Sequence, residues 1–132
     1  MLGACTRIEP DAIPNVKLGM APGDVRERFE PGGPGAWQTS VGNVAGDTAI
    51  EWHATNDAAK VREARFEFHN GMLVAVRAKT NEPPPSGEKI GTTPASVTVR
   101  RAAPAGGTDV AVLARDCPTH KDEAAALAAK AK

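Results

Sequence analysis

The chain is expected to fold as an α+β domain, an antiparallel sheet of about four to six strands with a short N-terminal helix and a C-terminal helix packed on it. Three observations predict this. Val61 to Ala78 is two runs of strand-forming residues meeting at Asn70-Gly71, the dipeptide suited to the two positive φ angles of a type I′ turn. Ser96 to Ala102 and Asp109 to Arg115 repeat the pattern around a Pro-Ala-Gly-Gly loop. Two short segments, one opened by Pro22 and one following Thr119, carry helix-start chemistry. At 132 residues the chain suffices for one core, a thin one, because it has three Phe, two Trp and no Tyr. Thirteen Gly and eleven Pro predict many turns.

Residues 1–16 read as a short apolar start followed by a tether without periodicity, and residues 17–132 as a single domain. In Leu18 to Phe29, Pro22 suits the first helical position and Asp24 the positive end of the helix dipole. Val25 and Phe29 lie four apart on one face, with Arg26, Glu27 and Arg28 towards water. About two turns cannot stand alone, so Val25 and Phe29 are expected to dock on the sheet. Pro31 to Gly35 ends the helix. Strands are expected over Trp37 to Val44 and Gly46 to His53, the second with Ile50 and Trp52 alternating against Glu51 and His53.

In the central hairpin a two-residue loop pairs His69 with Met72, Phe68 with Leu73, Glu67 with Val74, Phe66 with Ala75 and Arg65 with Val76. Phe66, Phe68, Leu73 and Ala75 then share a core face. Arg65, Glu67 and His69 share the other with Met72, Val74 and Val76, a half-polar surface and the expected partner-binding patch. Residues 81–95 form a proline-rich extended connection and residues 96–115 the second hairpin. A helix over 119–131 is expected, capped by Thr119, with Asp122 and Glu123 in its first turn and Leu127 as its one bulky anchor.

Composition narrows function. Sixteen basic residues balance sixteen acidic ones, so no global field attracts nucleic acid. No apolar run approaches the ~20 residues a membrane helix needs. Three histidines, His53, His69 and His120, are scattered and lack the paired close spacing of zinc ligands; neither metal nor other cofactor is expected. No P-loop or RNP1 pattern is present.

Leu2-Gly3-Ala4-Cys5 looks like a lipobox, the end of a bacterial lipoprotein signal peptide. On that reading Cys5 is the lipidation site and first mature residue, and the membrane is reached through its acyl chains. Gly19-Met20-Ala21-Pro22-Gly23-Asp24-Val25, followed by Phe29, resembles the Gly-Met-x-x-x-x-Val helix start of small outer-membrane lipoproteins of the BamE/SmpA type. Ala64 to Val76 resembles the strand, Asn-Gly turn and strand that follow in that family. The resemblance covers residues 13–80. It implies an α+β fold with helices on one sheet face and a non-enzymatic, scaffold-like role in the cell envelope, periplasm-facing or at the surface, with a protein partner.

Two alternatives stand beside it. Cys117-Pro118-Thr119-His120 at a helix start suits a thiol-dependent or small-ligand enzyme, with the helix N–H groups lowering the Cys117 pKa and His120 assisting. The other reading of Cys117 is a structural or disulfide-bonded residue. A secreted protein inhibitor also fits a compact helix-plus-sheet chain.

Overall fold

The structure, a computed structural model, describes residues 13, 15–41, 47–56, 59–104, 106–115, 117 and 120–130. Within them lie helix α1 (Pro22–Arg28), strands β1 (Gly35–Val41), β2 (Thr48–Ala54), β3 (Val61–His69), β4 (Met72–Thr80), β5 (Lys89–Thr92), β6 (Ser96–Ala102) and β7 (Thr108–Ala114), and helix α2 (Lys121–Lys130). The seven strands form one antiparallel sheet in the order β1-β2-β3-β4-β7-β6-β5. Strands dominate and helix is confined to two short pieces, so the expected α+β class with four to six strands is corrected to a mostly-β fold.

The added strand is β5, inside the stretch expected to be only a connection. Lys-Ile-Gly-Thr offers one bulky apolar side chain, Ile90, and follows three prolines, so neither alternation nor length marks it. The connection from β4 crosses to the far edge of the sheet, and β5, β6 and β7 return as a meander that lays β7 beside β4. Thr108 Oγ1 donates to the carbonyls of Glu82 and Pro83 at 3.1 Å each, tying the start of that crossing to the β6–β7 turn.

Asn70 and Gly71 adopt φ of 52° and 78°, the left-handed pair the β3–β4 turn requires. His69↔Met72 and Phe68↔Leu73 then pair as the two-residue loop dictates. The next pair is Glu67↔Ala75, because Val74 is an extra residue on β4, a β-bulge. From there to Glu63 the pairing is shifted by one, with Phe66 against Val76 and Arg65 against Arg77, and a second irregularity between Val61 and Glu63 restores the original register at Val61↔Thr80. Ala75 therefore leaves the Phe66 face and Val76 joins it, the reverse of the expected assignment.

The first sheet face carries the main core. Ile50, Trp52, Ala64, Phe66, Phe68, Leu73, Val76, Ala78, Val110 and Val112 are buried there beneath Ile13, Val16, Leu18, Val25 and Phe29. The N-terminal segment is pinned by backbone bonds, Gly19 N–H to Leu73 O at 2.9 Å and Leu73 N–H to Met20 O at 2.8 Å. Pro22 opens α1 and Phe29 closes it with its N–H on the Val25 carbonyl, so both predicted anchors dock. Phe29 meets Phe66, Trp52 and Trp37 edge-on at 5.2, 5.4 and 5.7 Å, the favoured aromatic geometry. Gly35 is required because an added Cβ would overlap the Trp52 ring.

The second face is apolar only towards β5. There Ala75, Val97, Val99 and Leu113 are covered by Ala124 and Ala128 of α2, with Ile90 and Leu127 at the margin. Alanines at 124 and 128 let the helix approach closely, so a thin element suffices.

Candidate functional site

The rest of the second face is polar, and the bulge at Val74 determines its membership. With the shifted register, Arg77 and Lys79 of β4 fall beside Arg65 and Glu63 of β3, which stand beside Glu51 and His53 of β2. Without it Arg77 would oppose Ala64 and enter the core. Asp109 of β7 and Arg101 of β6 continue the row beside Lys79. Together with Glu123 at the start of α2 these side chains line an open cleft of about 470 Å³.

Arg65 and Arg77 are direct cross-strand neighbours, an arrangement that repels unless carboxylates stand between. Glu67 does so: its Oε2 accepts from Arg65 Nε at 3.0 Å and lies 3.9 Å from Arg77 Nε. Its Oε1 accepts from His120 Nε2 at 2.8 Å. The hydrogen bond from His120, aided by Arg65 and the charge of Arg77, outweighs burial and holds the Glu67 carboxyl down at about 2. At 2% exposure Glu67 is the buried keystone of the network and not a surface charge.

The outer charges are paired as closely but are far more exposed. Arg77 grips Glu123 with two bonds, 3.0 and 2.7 Å, which lower the Glu123 pKa and raise that of Arg77. Arg65 Nη1 reaches Glu51 Oε2 at 2.5 Å. His53 places Nε2 3.2 Å from Glu51 and Nδ1 3.2 Å from Glu63. The His53 contact, then Arg65, lowers the Glu51 pKa against desolvation. Lys79 lies 3.6 Å from Glu63. Asp109 Oδ1 is buried with no hydrogen-bond partner among the described residues.

The sequence-predicted sites are placed differently. Val74 and Val76 are 0% and 3% exposed and Met72 is partly buried, so these three form no surface patch; bulge and core absorb them. Cys117 is fully buried and disulfide-bonded, and His120 Nε2 is turned to Glu67. In the disulfide Cys117 offers no free thiolate. Cys5 lies outside the described residues, as do the Thr119 cap and the apolar start. Among the described residues no three His, Cys, Asp or Glu side chains converge as a metal site. His69 pairs with Asp47 at 2.7 Å.

Sequence reasoning placed Glu51, His53, Arg65 and Glu67 on polar strand faces but missed Arg77, Lys79, Asp109, Arg101 and Glu123. The alternation of β2 and of β3 carried the usable signal. Comparison with family models, curated protein sequences and solved structures returned no match.

Proposed function

We propose that the chain is a non-enzymatic binding module of the bacterial cell envelope, and that a protein partner lays a polar segment carrying both charge signs into the cleft bounded by α2 and β2–β4. The observation that carries this reading is the cleft's lining, a row of ion pairs of both signs. Arg77, Glu63 and Lys79 are 37%, 46% and 56% exposed. Exposed pairs contribute at most ~1 kcal/mol each, so a partner's Lys, Arg, Asp or Glu exchanges with them at small cost.

A disulfide at Cys117 favours an oxidising compartment, the periplasm or cell surface. The chain has one other cysteine, Cys5. Lipid attachment and disulfide formation are competing uses of one thiol, so the lipid-anchored form of this proposal requires Cys5 to be unbonded.

The test is a photo-crosslinking residue at Lys79, on the cleft, and another at Lys89, on the far edge strand, in the exported protein. A discrete adduct at Lys79 that is absent at Lys89 and abolished by Arg77→Glu is expected. Identical adducts at both positions, or none at Lys79, would reject the cleft as the partner site. Intact mass before and after reduction then separates an acylated Cys5 from a bonded one.

A further inference from the structure

Among the described residues the sheet has two edges, and their strands differ in how they are guarded. β5 is four residues long, begins on Lys89 and carries Gly91, and a short charged edge resists pairing with another chain. β1 is seven residues, Gly-Ala-Trp-Gln-Thr-Ser-Val, with no charge, no internal proline and no shift in its register to β2. Nothing in that strand guards it.

Its free hydrogen-bonding groups follow from the register. Thr55 N–H donates to the Pro34 carbonyl at 3.0 Å, so Pro34 and Thr55 form a hydrogen-bonded pair. Antiparallel pairs alternate between bonded and non-bonded. Ala36, Gln38 and Ser40 are therefore the residues bonded to β2. The N–H and C=O groups of Gly35, Trp37, Thr39 and Val41 point away from it, and among the described residues no strand lies on that side.

We propose that this edge pairs antiparallel with β1 of a second copy of the chain, centred on Gln38, so that one sheet runs through both chains. Centred there, Gln38 meets Gln38 at the two-fold axis and each Trp37 stands opposite the other copy's Thr39. The outward groups at positions 37 and 39 then fall into bonded pairs. Aromatic opposite β-branched is a favourable cross-strand pair, and an uncharged strand opposes no like charges to itself. The Trp37 ring is already held, edge-on to Phe29 at 5.7 Å and beneath the Arg26 guanidinium at 5.7 Å, so little side-chain freedom is lost on pairing. Self-complementarity of this strand in this register is what a closed two-fold interface needs, and it selects a second copy over a peptide of other sequence.

Sedimentation equilibrium of the full chain tests this. The expected result is a concentration-dependent mass reaching twice 13.7 kDa. Gln38 is exposed and stands opposite Glu51 on β2, so Gln38→Lys suits its own sheet while Gln38→Glu is first checked for folding by circular dichroism; both oppose like charges at the axis, and each is expected to be monomeric where the parent is dimeric. Mixed, the two variants restore a dimer of one copy each, read by native mass spectrometry. Thr39→Pro removes an N–H directed away from β2 and also gives monomer; should it unfold, the lysine–glutamate mixture decides. A parent monomeric at every concentration, or a dimer indifferent to charge at position 38, overturns the proposal.

Discussion

The two ends of the sheet are covered on opposite faces. From β1 to β4 and on to β7, the N-terminal segment and α1 lie over one face and leave the other to charged side chains. From β4 out to β5, α2 lies over that other face and leaves Lys89, Thr98 and Arg100 on the opposite one. The covers overlap at β4 and β7, where Leu73, Val74, Ala75 and Val76, and Val112, Leu113 and Ala114, are all buried. A strand covered on both sides reads as a continuous apolar run, whereas β3, covered on one, alternates. The cleft is the part of the second face that the body of α2 leaves open, with Glu123 of its first turn at the rim.

Breaking the first cover should do the most damage. Phe66→Ala removes the fully buried ring beneath Phe29 and is expected to cost about 4 kcal/mol, read as a lower midpoint in urea unfolding. The second cover has its own lock, the buried His120–Glu67 bond. His120→Ala leaves that carboxylate without its main donor and should cost about 3 kcal/mol, with amide exchange rising first along α2.

The same lock predicts an acid response. Glu67 has its pKa lowered from 4.5 to about 2, so its contribution is whole above pH 4.5 and is lost as pH falls through 2. The linkage is on the order of 3 kcal/mol. Glu67→Gln should flatten that part of the acid limb, measured by urea midpoints from pH 5 to 2. An unchanged slope would mean that this carboxylate is not held by its neighbours. The smallest effect belongs to the cleft rim: Arg77→Ala should cost about 1 kcal/mol, because its pair with Glu123 is half exposed. Its effect on partner crosslinking should be far larger than its effect on stability.

Much of this frame was legible in local chemistry. Asn70-Gly71 announced its turn, Pro22 its helix, and Ile50 and Trp52 their strand face, since each depends on neighbours in sequence. β5 was not, because one isoleucine after a proline run carries no periodicity. Nor was the bulge: Val74 and Val76 are equally apolar, and only the cover on both faces decides which is the extra residue. The cleft depended on that choice, and its lock joins Glu67 to His120, 53 positions away. Residue types alone do not reveal such a pairing.

The cleft therefore stands or falls with the bulge. Cross-strand nuclear Overhauser contacts along β3 and β4 read it directly. The shifted register predicts contacts of Glu67 with Ala75 and of Phe66 with Val76. Contacts of Glu67 with Val74 and of Phe66 with Ala75 would turn Arg77 into the core, dissolve the cleft and contradict it.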